Sequence, residues 1–272
     1  MQKTVFKKIK TWSLIVISVY LVSGIILYFL QETFLFHPVK LPAGHRFNFS
    51  IPFKEINVPV SNKKNLSIIQ FTVPDSICKG VVLYFHGNKR NIERYAPYAT
   101  NFTKNNYEVW MMDYPGFGKT NGKLTEEIIY ADAAILYQMA RARFSKDSIL
   151  FYGKSLGTGV ASQLASIKDC KRLILETPYY SVEAMMKYHT LIYPVNLMAK
   201  YHFPNYKYFQ KIEVPVTVFH GTKDELIPYS HSVKLVKENP AIQLVTIEEG
   251  KHNNLNDSRL FHQRLDSLLQ LP

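Results

Sequence analysis

The sequence predicts an α/β fold in which a mostly parallel central sheet carries helices on both faces. Two observations lead to this prediction. Short apolar segments alternate along the chain with longer segments in which apolar residues recur at helical spacing. In addition, the apolar segment 149–152 runs into a glycine-flanked serine and then into a helical pattern. Loops of this kind lie at the carboxyl ends of the strands in open α/β folds, where functional sites form.

The first 30 residues predict a membrane anchor. Residues 1–11 form a basic tip with four lysines, and residues 12–30 contain no charge. A helix of that length spans about 30 Å, enough for the hydrocarbon core of a bilayer. The positive-inside tendency puts the N-terminus in the cytoplasm and the remaining chain on the outer side, the periplasm in a Gram-negative organism. A cleaved signal peptide, with a weak cleavage site at residues 22–24, is the alternative.

Residues 31–52 carry prolines and aromatic residues without clear periodicity and are expected to be a linker. The α/β domain then covers residues 53–272. Strands are predicted where short β-favouring runs are bounded by turn residues, at 53–60, 66–73, 80–85, 108–112, 149–152, 172–175, 216–219 and 243–247. The first two form a hairpin, and the uninterrupted apolar run at 80–85 is typical of a strand buried on both faces. Helices are predicted over 91–104, 124–143, from 158 onward, and over 255–269.

Between residues 178 and 212 the alternation stops. This segment is rich in Tyr, Phe and Met and is too long for a plain connection. We expect it to form a small cap over the carboxyl edge of the sheet, with part of its side chains lining an apolar pocket. The candidate pocket residues are Tyr179 and Met185 of the cap, together with Tyr114.

Composition narrows the range of partners. Hydrophobic residues make up 47% of the 272 residues and charged residues 20%, as in an ordinary globular protein with a substantial core. The net charge is +12, but the basic residues are scattered and match no nucleic-acid-binding motif. We therefore expect a basic solvated surface and no nucleic-acid partner. Cys78 and Cys170 lie in no zinc-binding spacing, and no metal site is predicted.

Residues 153–157 read Gly-Lys-Ser-Leu-Gly and fit the G-x-S-x-G pattern of a nucleophile elbow. In such an elbow the serine occupies a strained turn that lifts its hydroxyl clear of the sheet. Gly153 and Gly157 flank the serine because side chains there would collide with the neighbouring strand and helix. Ser155 is therefore the candidate nucleophile. The N–H of Leu156, at the start of the helix, is a candidate oxyanion donor.

A serine hydroxyl is a weak nucleophile, and it requires a base that an acid holds in place. Asp224 follows the strand predicted at 216–219 and is the candidate acid, with Glu225 as its neighbouring competitor. His252 follows the last predicted strand and is the candidate base. The second oxyanion donor is expected in the loop after residues 80–85, at the N–H of Asn88.

The other histidines are weaker candidates for the catalytic base. His86 and His220 end predicted strands and are expected to form hydrogen bonds within their loops. His231 lies on a predicted helix and is expected to be solvated. His189 and His202 belong to the predicted cap.

These motifs resemble the α/β-hydrolase superfamily, and within it a membrane-anchored branch of serine hydrolases that includes protein depalmitoylases and lysophospholipid lipases. The matching segments are HGN at 86–88, DYPGFG at 113–118, GKSLG at 153–157, ETPYYS at 176–181, HGTKDELIP at 220–228 and GKHNN at 250–254. The resemblance implies Ser155 as nucleophile, Asp224 and His252 as its partners, and Asn88 and Leu156 as oxyanion donors. It also implies that Asp113 and Tyr114 are structural loop residues.

The expected activity is cleavage of a carboxylic ester or thioester, with an apolar acyl group, through an acyl-enzyme. The substrate is then a small-molecule or lipid ester, and the chemistry requires no cofactor or metal. A serine peptidase of the same fold shares the triad and stays open as an alternative. A non-catalytic binding module is the second alternative, from a different class of function.

Overall fold

The computed structural model describes residues 2–190 and 192–271, without the side chains of residues 2–4 and 189. Its strands are β1 (His37–Pro38), β2 (Phe53–Ser61), β3 (Lys64–Phe71), β4 (Gly80–Phe85), β5 (Lys89–Arg90), β6 (Tyr107–Met112), β7 (Ile149–Lys154), β8 (Arg172–Glu176), β9 (Val216–Gly221) and β10 (Gln243–Ile247). Eight of them form one sheet in the order β10-β9-β8-β7-β4-β6-β3-β2, and β1 pairs with β5 outside it.

From β6 to β10 every neighbouring pair in this sheet is parallel. The β2–β3 hairpin is antiparallel, and so is its pairing with β6. The predicted α/β class with a mostly parallel sheet is therefore confirmed. Because parallel strands need crossover connections, helices lie between most of them and cover both faces of the sheet.

The helices are α1 (Gln2–Leu35), α2 (Ile92–Tyr95), α3 (Thr100–Thr103), α4 (Glu126–Arg141), α5 (Gly157–Ala165), α6 (Val182–His189), α7 (Val195–Met198), α8 (Asn205–Phe209), α9 (Ser230–Glu238) and α10 (Arg259–Gln270). The single helix predicted over 91–104 is divided into α2, a 3₁₀ turn at Ala96–Ala99 and α3. Pro97 lies at this break, and it has no N–H to continue a helical ladder.

Two buried clusters fill the faces of the sheet. Successive residues of a strand point to opposite faces, so Leu83 and Phe151 belong to one cluster, while Val82 and Tyr152 belong to the other. The first cluster includes residues of α4, α5 and α9, and the second includes residues of α2, α3 and α10. With both faces covered, the loops at the strand ends are the part of the sheet left free to form a site.

Helix α1 is the one helix, among the described residues, that is long and apolar enough to cross a membrane. The candidate span covers Val5–Leu35; its most apolar 18-residue window has a mean hydropathy of 2.4, and most of that window is exposed. The helix continues five residues past the predicted end of the anchor at residue 30, into the segment for which a linker is expected. Gln31 explains the extension, because its side chain is buried and hydrogen-bonded to the segment that was predicted to be a cap.

Residues 178–212 contain the short helices α6, α7 and α8. Aromatic side chains of this cap, such as Phe203 and Phe209, are fully buried against the main cluster. The Asn205 side chain donates a hydrogen bond to the carbonyl of Tyr179, at 2.8 Å, and so ties α8 to the start of the cap. The Tyr179 hydroxyl in turn donates to the carbonyl of Leu156, at 3.2 Å. The cap is therefore fastened directly to the turn that carries the predicted nucleophile.

Candidate active site

Ser155 lies on a sharp turn between the end of β7 and the start of α5. Its φ angle is 51°, in the left-handed region that non-glycine residues rarely occupy. The flanking glycines are required by close packing. A Cβ at Gly153 would lie 2.5 Å from the carbonyl oxygen of Gly157, and a Cβ at Gly157 would lie 1.9 Å from that of Phe85. The turn thus has the strained geometry of a nucleophile elbow.

A Gly157→Ala substitution is expected to lower the free energy of unfolding by about 3 kcal/mol, because the new Cβ overlaps main-chain atoms of β4 that cannot move independently. In a chain of this size the melting temperature should fall by about 6 to 12 °C. Thermal unfolding followed by circular dichroism measures the change. Gly44→Ala is the matched control, because a Cβ there meets no atom within 4 Å. Equal melting temperatures for the two variants would contradict the close approach at Gly157.

Three loops bring the predicted triad together. Ser155 Oγ lies 3.0 Å from His252 Nε2, and His252 Nδ1 lies 2.8 Å from Asp224 Oδ2. The loops follow β7, β9 and β10, whose carboxyl ends share one edge of the sheet. With its Nδ1–H donating to Asp224, the imidazole presents an unprotonated Nε2 to the serine hydroxyl. This arrangement can accept the serine proton as the hydroxyl attacks an electrophile.

The Asp224 carboxylate is held as an anion by several donors. Its Oδ1 accepts hydrogen bonds from the N–H groups of Leu226 and Ile227, at 2.9 and 2.8 Å. Burial by itself raises the pKa of Asp224, but the hydrogen bonds donated by His220, by His252 and by the N–H of Ile227 outweigh it. The pKa of this carboxyl is therefore held well below its usual range, and Asp224 stays ionised in neutral and mildly acidic solution.

His220 takes part in this network, although the sequence predicted only a loop hydrogen bond for it. Its Nε2 lies 2.9 Å from the carbonyl of Ile227 and 3.2 Å from Asp224 Oδ2. The Ser232 hydroxyl, 2.6 Å from Nδ1, can donate to that atom and leave the proton on Nε2. The position of His220 just ahead of a glycine at a strand end was a visible signal, but its partner could not be read from spacing.

The remaining histidines differ from one another. His86 is buried, its Nδ1 lies 2.7 Å from the carbonyl of Gly87, and its Nε2 lies 3.3 Å from Asp113. The expectation that His231 is solvated is wrong. His231 is 4% exposed, and its Nδ1 accepts a hydrogen bond from the N–H of Tyr180 at 3.0 Å, because α9 packs against the start of the cap. His202 pairs with Glu183 within the cap.

Glu225 is exposed, and its carboxylate accepts from the main-chain N–H of His252, at 3.4 Å, rather than from the ring. Of the two neighbouring acids, Asp224 is thus the one that orients the imidazole. The side chain of His189 lies outside the described residues.

The expected oxyanion donors lie on either side of the serine. Asn88 and Leu156 line the same cavity as Ser155 and His252. Gly87 brings the loop close to the nucleophile, since a Cβ there would lie 3.6 Å from the Ser155 Cβ. Within the described residues, neither the Asn88 N–H nor the Leu156 N–H donates a hydrogen bond to the protein. Two unused N–H groups at this place are what an oxyanion hole requires.

The Asn88 loop is tied to the end of α1. The Asn88 side chain donates to the carbonyl of Leu35 at 2.8 Å, and the N–H of His37 donates to the carbonyl of Asn88 at 2.9 Å. The short strands β1 and β5 continue this pairing in parallel register. The segment that follows α1 therefore fixes the loop that carries one of the expected oxyanion donors.

A buried ionic network lies beneath the elbow and was not expected from the sequence. The Lys154 ammonium pairs with the Glu176 carboxylate, and the Tyr152 hydroxyl donates to the same carboxylate. The Ser155 N–H donates to the carbonyl of Glu176 at 2.9 Å. These contacts bind β7 to β8 at the level of the nucleophile and so restrain the strained turn. Lys154 stood in the sequence as a variable residue of the G-x-S-x-G pattern, so nothing in the spacing pointed to Glu176 as its partner.

A cavity of about 440 Å³ opens from Ser155 and His252. Its lining is mostly apolar and comes from the loops, from the cap and from α1. Tyr179 and Met185 line it, as the sequence analysis suggested. Tyr114 does not line it: the side chain is fully buried in the core, and its hydroxyl donates to the carbonyl of His86 at 2.7 Å. Tyr114 is therefore a structural residue of its loop and leaves the set of pocket candidates.

The charged residues that line the cavity in the described part of the chain are all basic: Lys89, Arg94 and Lys154. Among the described residues there is also no cluster of three or more His, Cys, Asp or Glu side chains that could hold a metal ion.

Residues 76–208 match a family model described as serine aminopeptidase, S33. The mouse protein named alpha/beta hydrolase domain-containing protein 17C is 30% identical over 195 residues, which are 70% of this chain, and the human protein of the same name is equally identical. The chain covers 58% of the mouse protein and 56% of the human one, less than two thirds of either.

Solved structures share the fold over most of the chain. An esterase from Pyrococcus furiosus, Pf2001, aligns with a TM-score of 0.66 at 18% identity and covers 87% of this chain and 97% of its own. A soluble variant of the monoglyceride lipase from Saccharomyces cerevisiae, in complex with a substrate analog, aligns with a TM-score of 0.62 at 15% identity. It covers 85% of this chain and 97% of its own.

Proposed function

We propose that the chain, which has the fold of the α/β hydrolases, is a serine hydrolase that cleaves a carboxylic ester or thioester with an apolar acyl group. One observation carries the proposal. A continuous line of hydrogen bonds runs from Ser155 Oγ through His252 to Asp224, and Ser155 and His252 both line a mostly apolar cavity. The hydrogen-bonded triad supplies an activated nucleophile, and the apolar cavity fits an acyl chain.

In the proposed acylation step, Ser155 Oγ attacks the substrate carbonyl carbon and its proton passes to His252 Nε2. Asp224 keeps the imidazole in the required tautomer and stabilises the imidazolium that forms. The N–H groups of Leu156 and Asn88 bind the oxyanion of the tetrahedral intermediate. The intermediate collapses as His252 returns the proton to the departing alcohol or thiol, and the acyl group stays on Ser155.

Deacylation repeats these steps with water. His252 Nε2 takes a proton from a water molecule, whose oxygen attacks the acyl carbonyl, and the second intermediate expels Ser155 Oγ. The proton held by His252 returns to the serine, and a carboxylic acid is released. Every proton is accounted for by groups already at the site.

The lining of the cavity favours an ester or thioester over a peptide substrate. An aminopeptidase needs an anionic group to hold the ammonium of its substrate. The described lining contains basic residues and no Asp or Glu. Lys154 is paired with Glu176, but Lys89 and Arg94 of this lining also suit an acyl substrate with an anionic group beyond the scissile bond. The names of the structural neighbours, an esterase and a monoglyceride lipase, are consistent with this substrate class.

Parallel assays test the proposal. The full chain in detergent is offered an ester, a thioester and an anilide of the same acyl group, together with an aminoacyl anilide. We expect turnover of the ester and thioester at least about 100-fold above that of either amide, in free-energy terms about 3 kcal/mol. Faster cleavage of the aminoacyl anilide would support the peptidase alternative. A folded protein that cleaves none of them and reacts with no fluorophosphonate probe would support a non-catalytic binding module.

Helix α1 could anchor this enzyme to a membrane. We propose that residues 1–11 stay in the cytoplasm, because their lysines oppose translocation, and that the catalytic domain lies on the outer side.

A further inference from the structure

One face of α1 packs against the rest of the protein. Along the apolar part of the helix the less exposed positions are 23, 24, 27, 31 and 35, which recur at about the spacing of a helical turn. Gly24 is buried in this stripe because the ring of Tyr193, in the cap, lies against it, and a Cβ would lie 3.1 Å from that ring. The opposite face, which includes Ile26 and Phe29, is exposed. The helix is therefore docked along one side.

The cap contacts α1 at two levels. At the lower level the Gln31 side chain donates to the carbonyl of Met198 at 2.7 Å and accepts from the N–H of Lys200 at 2.9 Å. At the upper level the rings of Tyr20 and Tyr193 stack with centroids 4.8 Å apart, and the Tyr193 hydroxyl lies 2.6 Å from Ser23 Oγ. Tyr20 and Gln31 are separated by about 16 Å along the helix axis.

The upper contacts lie within the hydrocarbon-spanning part of the helix. The Lys200 ammonium lies over the ring of Tyr28, 4.7 Å from its centroid. A lysine next to a tyrosine is typical of the boundary between lipid and water. Tyr20 lies about 12 Å farther along the axis, inside the uncharged stretch 12–30. The tip of the cap around Tyr193 is consequently placed at the depth of the acyl chains.

The cap tip has the surface that this depth requires. The side chains of Ile192 and Leu197 are 71% and 86% exposed, and both are apolar. Irregular main chain is tolerated at membrane depth only where its polar groups find partners. The carbonyl of Ile192 accepts from the Tyr20 hydroxyl at 3.0 Å, and the carbonyl of Tyr193 accepts from the N–H of Val195 at 2.9 Å. A lipid surface, rather than water, is the surroundings that fit these exposed side chains.

The same two elements enclose the catalytic cavity. Leu27, Gln31 and Phe34 of α1 line it together with Met198 of the cap and Ser155. The seam between α1 and the cap therefore runs from the depth of the acyl chains to the nucleophile. We propose that α1 is a wall of the acyl-binding site and that this seam admits acyl chains directly from the bilayer. The substrates are then long-chain acyl esters or thioesters resident in the leaflet next to the catalytic domain, an assignment that rests on the proposed function.

The role of α1 as a wall of the acyl-binding site is tested by a substitution that fills the cavity beside it. Leu27→Trp puts an indole into the cavity and is expected to lower the ratio of kcat/KM for a palmitoyl ester to that for a butyryl ester by about tenfold or more. The matched control is Ile26→Trp, one residue along the same helix, 50% exposed and outside the lining. Both variants are assayed as full chains in lipid nanodiscs. An unchanged chain-length profile in Leu27→Trp, or an equal change in Ile26→Trp, would overturn the role of α1.

Entry of acyl chains from the bilayer is tested by a fluorescence measurement on the protein in lipid vesicles, which does not depend on catalytic activity. In a Cys78→Ala/Cys170→Ala background, a fluorophore sensitive to quenching is attached at Leu197→Cys, and lipids that carry a quencher in the acyl chain are added to the vesicles. We expect strong quenching at position 197. The control position is Ile167→Cys, which is 57% exposed and lies between α5 and β8, at the amino-terminal edge of the sheet, away from the cap. Equal and weak quenching at the two positions would overturn lateral entry.

The two ideas fail separately. A protein whose Ser155 reacts with a fluorophosphonate and which cleaves short esters, but whose position 197 is not quenched, keeps the proposed function and loses this inference. A protein that does not react with the probe loses the proposed function, and the quenching result still decides where the cap tip lies.

Discussion

Replacing Ser155 by alanine is expected to lower kcat for ester hydrolysis by about 10⁵-fold, because the variant has no group that can carry the acyl intermediate. The Ser155 hydroxyl lies within hydrogen-bond distance of His252 Nε2, and it is the nucleophile of the proposed mechanism. The fold should be unaffected, since the strained turn is held by the main-chain bond from residue 155 to Glu176 and by the glycines on either side. Steady-state hydrolysis of a butyryl ester and reaction with a fluorophosphonate probe are the measurements.

Ser166→Ala is the matched control. Its hydroxyl donates to the carbonyl of Gln163 at the end of α5, and the residue does not line the cavity. This variant should react with the probe like the unmodified protein. Persistent probe labelling in Ser155→Ala, with a normal melting temperature, would mean that another residue is the nucleophile.

Asp224→Asn is expected to lower kcat by about 10³- to 10⁴-fold while leaving the cavity intact. An amide cannot reproduce the carboxylate at this position. Oδ2 receives hydrogen bonds from the ring nitrogens of His220 and His252, and Oδ1 receives two main-chain N–H groups. An NH₂ group facing His252 Nδ1 favours the tautomer with its proton on Nε2, which can no longer accept the serine proton. The rate of fluorophosphonate labelling should fall with kcat.

The same substitution has a pH signature in stability. The pKa of Asp224 is lowered on folding, so the ionised carboxylate stabilises the protein at pH values above the pKa of an unfolded aspartate, about 3.9. That contribution is lost as the pH falls toward the lower value in the folded state. Asp224→Asn should therefore be less stable than the unmodified protein at pH 7, and the difference should narrow on acidification below pH 4.

Glu225→Gln is the control for both measurements, because the neighbouring acid is exposed and contacts only the main chain of His252. A near-normal kcat for Asp224→Asn, together with a large loss for Glu225→Gln, would reverse the assignment of the acid. A stability difference between Asp224→Asn and the unmodified protein that stays constant from pH 7 to pH 3 would contradict the ionised network.

The sheet and the motif residues were predictable because their signals are local. The apolar runs that became β4 and β10 are bounded in the structure at the residues expected from the sequence, and the G-x-S-x-G turn requires glycines that only a close approach explains. Features that depend on contacts between distant segments were not predictable. His231 is buried where α9 meets the cap, and its hydrogen-bond donor there, the N–H of Tyr180, lies 51 residues away in the sequence.

The docking of α1 illustrates the same limit. Hydropathy identifies a span of the right length, but it is silent on which face of the helix will meet protein. That face is decided by Tyr193 and Met198, which lie more than 160 positions along the chain from their partners. The extension of the helix to Leu35 has the same cause, since Gln31 completes its hydrogen bonds only when the cap is present.

The pairing of β1 with β5, and the bond from Asn88 to the carbonyl of Leu35, have a consequence for any shortened form of this protein. A chain beginning after Leu35 would retain its triad but would lack one side of its acyl cavity and a brace on the loop next to Ser155. The acyl-chain preference measured on such a shortened chain would be that of a cavity open on the side where α1 lies in the full chain. If the proposed function holds, acyl-chain selectivity is a property of the chain with α1 in place, because α1 lines the cavity and braces the Asn88 loop.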